Sequence, residues 1–489
     1  MIASTPPHLL SLVIAWPLVG ALLAWLVPTG QQARRVALIW VATELVLAVI
    51  VMLNVDFSRA GFQLLERHAW IPSLGIEYRL GVDGVSALFL PATALLFLAA
   101  VVASWHLAQR VMPRLYFALL LFLEGVTLGI FCAADLVLFF LFWELTLIPL
   151  HFLIALWGIG PNRRHAAVKY TLFMLAGGAA LLIAFLLVAQ AHPGPQSFDL
   201  LRLLHEPLAI GHQWPVFFLL LFGFGVKIPL VPLHVWLPIV AMEGPVAVTA
   251  ILTGIKLGAY GLIRLLLPLT PDVAQQMYWL LAGLGVVSMV YGALSALAQT
   301  NLRRLFAFSS ISHMGMVVLG LATFTIQGVQ GAVFYLLNMV LVSGGLFLSM
   351  GMIHHRLGST DLLHLGGLAR PMPLLSGFFL LFGLASIGLP LTSGFPGEFL
   401  LLTSVLHHHI GSGLAALGSV ILGAGYLIGC YRHAFLGPLN PAIPADLPPL
   451  LFREQALLIG MAVLILVIGW FPNLILESIR PAAEVWLER

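Results

Sequence analysis

Six acidic or basic side chains stand deep inside apolar stretches, Glu44, Glu124, Glu144, Lys227, Lys256 and Glu398, and His313 joins them. The lysines are the sharpest signal. The chain has only three in 489 residues, and two of them lie in FFLLLFGFGVKIPLVPLHVW (Lys227) and AVTAILTGIKLGAYGLIRLLL (Lys256). A charged lysine at mid-bilayer costs about 2.5–3.5 kcal/mol on insertion scales, so groups kept there mark ion or proton pathways. Low dielectric favours a neutral lysine and a nearby carboxylate favours the ammonium form. A Lys–Glu pair can therefore take up or release a proton as its members move. Glu144 and Lys227 would be that pair if their spans touch, with Lys256 as a central station, His313 as an intermediate and Glu398 as the exit carboxylate. Histidine suits an intermediate because it titrates near neutrality. Glu124, and His151 seven residues after Glu144 on roughly the same helix face, are secondary candidates.

The elements that must position these groups are membrane helices. Hydrophobic residues make up 61% of the chain, charged residues 8%, and the mean hydropathy is +1.05. Apolar runs of about 20 residues recur throughout, enough to cross a bilayer. An all-α polytopic protein follows, with about fourteen spans near 8–28, 36–55, 84–106, 114–133, 134–156, 168–191, 214–233, 246–267, 273–295, 303–322, 329–351, 374–405, 413–437 and 454–472. Spans seven and twelve are expected to break. The first carries Pro229 and Pro232 just after Lys227; the second carries Pro390, Gly394, Pro396 and Gly397 just before Glu398. Proline removes a backbone donor and clashes with the preceding turn. Paired interruptions of this kind point to inverted repeats. The offsets from Glu144 to His313 (313 − 144 = 169) and from Lys227 to Glu398 (398 − 227 = 171) fit two five-helix repeats. The reading is one membrane domain, 1–489: N-terminal helices in 1–113, a first repeat in 114–267, a second in 273–437, and a final helix with a surface tail in 438–489.

Arg34, Arg35, Arg110, Arg114, Arg163, Arg164, Lys169, Arg303, Arg304, Arg356, Arg370, Arg432 and Arg453 fall in one set of loops. Only Arg59, Arg67, Arg79, Arg202, Arg264, Arg480 and Arg489 fall in the other. The positive-inside rule then places both termini outside, in a bacterial inner membrane on the periplasmic side. The first apolar run lacks a basic leader and a cleavage site and reads as a retained helix. Loops 56–83 and 192–213 are expected to fold over the outer face. The tail from Asn473 is expected to form a short surface helix. Small-residue faces such as Ala176, Gly177, Gly178 and Ala179 are candidates for lateral packing against similar subunits.

Other chemistry is weakly represented. Cys132 and Cys430 form no CxxC pattern, so neither a disulfide nor a cluster is expected. His407, His408 and His409 read as a solvated loop rather than a metal site, and His354 and His355 suit a helix C-terminus. His151 with His313 is a conceivable haem pair that nothing else supports. No GxGxxG after a strand, Walker motif or nucleic-acid patch occurs, so the chain is expected to bind no cofactor and no metal.

FWELTLIPLHFLIALWG (142–158), followed by NRRHAAVKYTLFMLAGG, resembles the span-five signature of the antiporter-like membrane subunits of respiratory complex I, NADH:quinone oxidoreductase. VKIPLVPLHVWLP (226–238), LGAYGLIR (257–264), SSISHMGMVVLG (309–320), LGVDGVS (80–86) and GEFLLL (397–402) match in order. The M type, or chain 4, is the best match, because Glu398 stands where the L and N types have lysine and no long lateral helix follows the last span. The resemblance implies that Glu144 and Lys227 are the family's ion pair, Lys256 its central lysine, His313 its bridging histidine and Glu398 its exit glutamate. Glu124 matches a glutamate often found in span four. Three departures stand out: Met339, beside Asn338, where many M-type chains have histidine; a segment from Pro245 to Lys256 about two residues shorter than usual; and Pro396 in place of a branched apolar residue.

The resemblance implies a proton-translocating membrane-arm subunit without catalysis of its own. NADH, FMN, iron–sulfur clusters and quinone would be handled by partner subunits, and related antiporter-like subunits would be its neighbours. The alternatives are a cation/proton antiporter subunit, an ion-translocating subunit of an energy-converting hydrogenase or carbon-uptake complex, and a structural spacer.

Overall fold

Apolar runs of membrane-crossing length become helices where capping residues permit. The computed structural model describes residues 8–105, 111–192, 196–206, 208–444 and 446–487; the loop arginines Arg110 and Arg489 lie outside them. In the N-terminal third, α1 is Leu9–Leu26, α2 Gly30–Leu53, α3 Ser86–Ala103, α4 Pro113–Cys132, α5 Leu136–Leu145 and α6 Leu147–Trp157. Next come α7 Arg163–Ala191, α8 Leu200–His205, α9 Ile210–Lys227, α10 Trp236–Glu243, α11 Val246–Gly254 and α12 Leu257–Gly261. A π-helical turn, Leu262–Leu266, leads to α13 Leu267–Leu269, α14 Pro271–Gln276, α15 Tyr278–Leu297 and α16 Leu302–Leu321. The chain ends with α17 Ile326–Leu357, α18 Pro373–Ser386, α19 Gly394–His408, α20 Ile410–Phe435, α21 Phe452–Trp470 and α22 Asn473–Leu487.

Several starts carry the side chains that helix entry requires. Thr29 and Gln32 form a capping box on α2, Asp135 accepts from Val137 and Leu138 at α5, and Asn301 and Thr325 cap α16 and α17. Each satisfies backbone donors that the helix itself leaves free.

Twelve helices among the described residues are long and apolar enough to cross a membrane, and they fall at twelve of the fourteen expected positions. The other two positions are the ones expected to break. There the chain runs as α9 then α10, and as α18 then α19. A further interruption appears in span eight, which divides at Ile255 and Lys256 without a proline. The centre of the fold is α17. It is 32 residues long, about 48 Å at 1.5 Å per residue, and its most apolar stretch is buried throughout. It packs against α11, α19, α16, α18 and α3.

One end of the bundle is not purely helical. Loop 56–83 forms an antiparallel hairpin, β1 Gln63–Ile71 with β2 Ile76–Val82, pairing Arg67 with Arg79 and Ile71 with Ile76. Arg67 donates twice to Glu77, at 2.7 and 2.6 Å, and holds its carboxyl below the usual carboxylate range. Arg79 pairs with Asp199. Glu66 of β1 accepts from the Leu10 amide at 2.7 Å, which ties the hairpin to the start of α1. The tail helix α22 begins at Asn473, as expected, and packs on α17.

Arg264 corrects its assignment to a loop. It lies in the π-helical turn, 3% exposed, and pairs with Asp83 at 2.5 Å. Its guanidinium lies 4.0 Å from the Phe62 ring. The small-residue stretch of α7 also differs from expectation: Ala176 and Ala179 face outward, but Gly177 and Gly178 are buried within the chain.

Removing one partner of a buried ion pair strands the other charge, at about 3–5 kcal/mol. Arg264→Met is therefore expected to lower the thermal unfolding midpoint of the detergent-solubilised protein strongly, and Asp83→Asn/Arg264→Met to recover much of the loss. An unchanged midpoint in the single variant would show that the pair does not hold the fold.

Candidate functional site

The site is assembled where helices stop inside the apolar region. Lys227 is the last residue of α9, and the chain then turns through Pro229 and a cis Val231–Pro232 bond before α10. A cation at a helix C-terminus meets carbonyl groups with favourable dipoles. Lys227 Nζ donates to Thr146 Oγ1 at 3.0 Å and lies 3.9 Å from the centre of the Trp143 ring. Thr146 sits at the irregular junction of α5 and α6. Glu144, two residues earlier, packs against Gly178, where a Cβ would lie 1.9 Å from its Oε1. Glu144 and Lys227 are within electrostatic reach of each other. They form no closed ion pair in this geometry; Thr146 and Trp143 hold the ammonium instead.

The break in span eight places Lys256 in the next layer. Gly258 lies against Ile228, with a notional Cβ 2.7 Å from the Ile228 amide, so the interruptions of spans seven and eight touch. Among the described residues a cavity of about 30 Å³ is lined by Lys227, Thr146, Thr127, Tyr170, Ile255 and Leu257, with other residues. That volume admits about one water. Lys256 is 5% exposed, and its Nζ donates to Ser310 Oγ at 2.5 Å.

Ser310 is followed back along α16 by Ser309, and His313, one turn on, is within electrostatic reach of Lys256. His313 Nε2 lies 3.1 Å from Ser309 Oγ, and its Nδ1 lies 2.6 Å from the Tyr335 hydroxyl of α17. Ser309 Oγ also meets the Tyr426 hydroxyl of α20 at 2.7 Å. His313 and Glu398 line one cavity of about 20 Å³ with Ser312, Tyr426, Met289 and other residues. Glu398, in the second turn of α19, is 6% exposed, and its Oε2 has no partner among the described residues.

Met339 stands outside that cavity. It is fully buried, accepts from Ser343 at 3.4 Å, and does not line the cavity between His313 and Glu398. Asn338 faces the break of span twelve and accepts from Ser393 at 2.6 Å. His151 stands apart, with Nδ1 2.8 Å from Thr171 Oγ1 at the α6–α7 contact. Glu124 is fully buried on α4, and neither carboxylate oxygen has a partner among the described residues. Among those residues no group of three or more His, Cys, Asp or Glu side chains could hold a metal ion. Both cysteines are free and buried.

Sequence reasoning had the charges but not the hydroxyls between them. Thr146 meets Lys227, Ser310 meets Lys256, Ser309 and Tyr335 meet His313, and Tyr426 meets Ser309. Three of them stand within four residues of a charged or histidine position in FWELT and SSISH, which was the available signal.

Residues 133–423 match the family described as NADH:quinone oxidoreductase/Mrp antiporter, TM. The chain is 34% identical over 490 residues to NADH-quinone oxidoreductase subunit M of Rickettsia typhi, covering 97% of this chain and 98% of the relative. It belongs to this family of membrane subunits. It is also 38% identical over 484 residues to NAD(P)H-quinone oxidoreductase chain 4 1 of Synechococcus sp. (strain JA-3-3Ab), covering 96% and 91%. Respiratory complex I from Thermus thermophilus contains a chain that superposes with a TM-score of 0.90 at 30% identity, covering 98% and 99%. A chain of the Mrp complex from Dietzia sp. shares the fold, with a TM-score of 0.88 at 24% identity over 99% of both chains. The resemblance to the M type seen in the sequence motifs thus holds across essentially the whole chain.

The fit between Gly178 and Glu144 gives a direct test within this family. Gly178→Ala is expected to displace Glu144 and to lower proton translocation by the assembled complex several-fold. Gly283→Ala, where nothing lies within 4 Å of the added carbon, is the control. Equal translocation in both variants would mean that the placement of Glu144 is unimportant.

Proposed function

We propose that this chain is a proton-translocating membrane-arm subunit of an NADH:quinone oxidoreductase-type complex. The observation that carries the reading is the run of buried polar groups across the bundle. Lys227, within electrostatic reach of Glu144, stands at a water-sized cavity walled in part by Ile255 and Leu257 on either side of Lys256; Lys256 bonds to Ser310, whose chain neighbour Ser309 meets His313, and His313 shares a second such cavity with Glu398. Oxidation of NADH and reduction of quinone belong to partner subunits carrying FMN and iron–sulfur clusters; this chain binds none of them and has no catalysis of its own.

The chemistry of the path follows from charge and solvation. With the Glu144 carboxylate close, Lys227 is stabilised as ammonium; with it withdrawn, the apolar surroundings favour loss of a proton towards the cavity shared with the span-eight break. Lys256 receives the proton, Ser310 and Ser309 link it to His313, and the imidazole passes it towards Glu398. Glu124 is a neighbour of the first cavity, and His151 a peripheral group held by Thr171.

In the membrane, each broken pair of helices counts as one crossing, which gives fourteen. Two five-helix repeats, 114–267 and 273–437, place Lys227 and Glu398 at corresponding interruptions. The chain lies in a bacterial inner membrane with both termini outside, and its neighbours are related antiporter-like subunits. Ala176, Ala179 and the exposed Leu172, Leu175 and Ile183 on α7 offer an apolar face for such a neighbour or for lipid. The fold shared with the Mrp complex keeps a cation/proton antiporter subunit as the second reading.

Lys227→Ala in the assembled complex is expected to retain electron transfer but to pump fewer protons per electron pair in proteoliposomes. Unchanged stoichiometry would end the relay reading. Sodium-dependent transport without a quinone-reducing partner would favour the antiporter.

A further inference from the structure

Seven carboxylates are buried among the described residues, and they divide into two kinds. Glu66, Asp83, Asp135 and Glu454 are held by donors: backbone amides of α1, Arg264, backbone amides of α5, and Arg356. Such carboxylates hold structure together. Glu398, Glu44 and Glu124 have unpartnered oxygens. Glu398 already has a place at the end of the proposed relay. Glu44 and Glu124 do not, and both are 0% exposed with all four oxygens free of donors.

The two belong to one place. Glu44 on α2 lies within electrostatic reach of Glu124 on α4. Helix α3 packs on both α2 and α4, and it carries Thr93, 0% exposed, whose hydroxyl oxygen is likewise unpartnered. Counted from the hairpin end, Glu44 is nine residues in (53 − 44), Glu124 eight (132 − 124) and Thr93 seven (93 − 86). At 1.5 Å per residue all three are at a depth of about 10–14 Å. Five unpartnered oxygens thus lie at one depth of a three-helix group.

We propose that Glu44 and Glu124 form a proton-holding site between α2, α3 and α4, a side station that exchanges with the Lys227 cavity. Two ionised carboxylates without donors are not tolerated this close in an apolar interior, because each buried ion costs several kcal/mol and like charges repel. The pair therefore carries at least one proton, and that proton belongs to the pair rather than to one residue. Exchange runs along α4. Thr127, one turn from Glu124, lines the cavity of about 30 Å³ that contains Lys227. A proton shared here is stored one helical turn from the wall of the Lys227 cavity, so the station can supply the first step of the relay through Thr127.

The site rests on the proposed translocation function, and infrared spectroscopy separates the two. In the intact complex carrying this chain, Glu44→Gln and Glu124→Gln are each expected to remove the same protonated-carboxyl band, and the double variant is expected to remove no more. Proton pumping per electron pair is expected to fall several-fold in each. Glu44→Asp, which keeps the acid, is expected to keep both band and pumping and so guards against a purely structural effect. An unchanged band in assembled Gln variants overturns the site, as does a band that appears only when sodium is withdrawn, which would make it a cation site. If Lys227→Ala lowers pumping while both Gln variants pump normally, the side station fails and the relay stands. If Lys227→Ala has no effect, the relay fails, and the infrared band alone decides whether the pair holds a proton.

Discussion

A charge inside hydrocarbon needs polar partners, and a regular helix has none to spare because its backbone groups are bonded internally. The arrangement of this chain follows from that constraint. Lys227 ends α9, Lys256 occupies the gap between α11 and α12, Glu398 follows the break between α18 and α19, and Glu144 precedes the irregular turn at Thr146. Interrupted backbone at this depth is tolerated only where protein or a wet cavity covers it. The breaks therefore have to be enclosed, and α17 together with the α3, α11, α16 and α19 shell does this. The long central helix is the price of the broken ones.

How far the sequence disclosed this depended on how local each cause was. Prolines at 229, 232, 390 and 396 mark two interruptions, and apolar runs mark the rest of the crossings, because both signals lie within one turn of the feature they cause. The span-eight break carries no proline. Gly254 and Gly258 flank Lys256, but what shapes the gap is the contact of Gly258 with Ile228 on another span. Arg264 looks like a loop cation in the sequence because its partner, Asp83, is 181 residues away. The hairpin was equally hidden, since its charges pair across strands and with Asp199, and they do not alternate in a pattern that declares a sheet.

The candidate site divides the same way. Charged residues in apolar runs are conspicuous for what they cost, so Glu144, Lys227, Lys256 and Glu398 could be picked out one by one. Serine, threonine and tyrosine hydroxyls are cheap in helices and common, and only the fold shows that Ser310 meets Lys256 or that Tyr335 and Tyr426 close around His313 and Ser309. The anticipated Glu144–Lys227 contact shows the limit of pairwise reasoning. Opposite charges on adjacent spans need not close when a hydroxyl and an aromatic face are nearer. The open pair also suits function better, because a fully closed ion pair would hold its proton and resist transfer.

The two cavities on the proposed path are as informative as the groups that line them. At about 30 and 20 Å³ each admits roughly one water. A continuous water file between Lys227 and Glu398 would conduct protons down any gradient without coupling. Single-water gaps separated by side chains conduct only when those side chains reorient. The long, flexible stem of lysine can swing its ammonium between partners, whereas histidine between two hydroxyls can change tautomer in place. Lysines at the interruptions and a histidine inside an unbroken helix are then a division of labour. In the proposed relay the moving carriers sit where the backbone leaves room, and the fixed carrier sits where it does not.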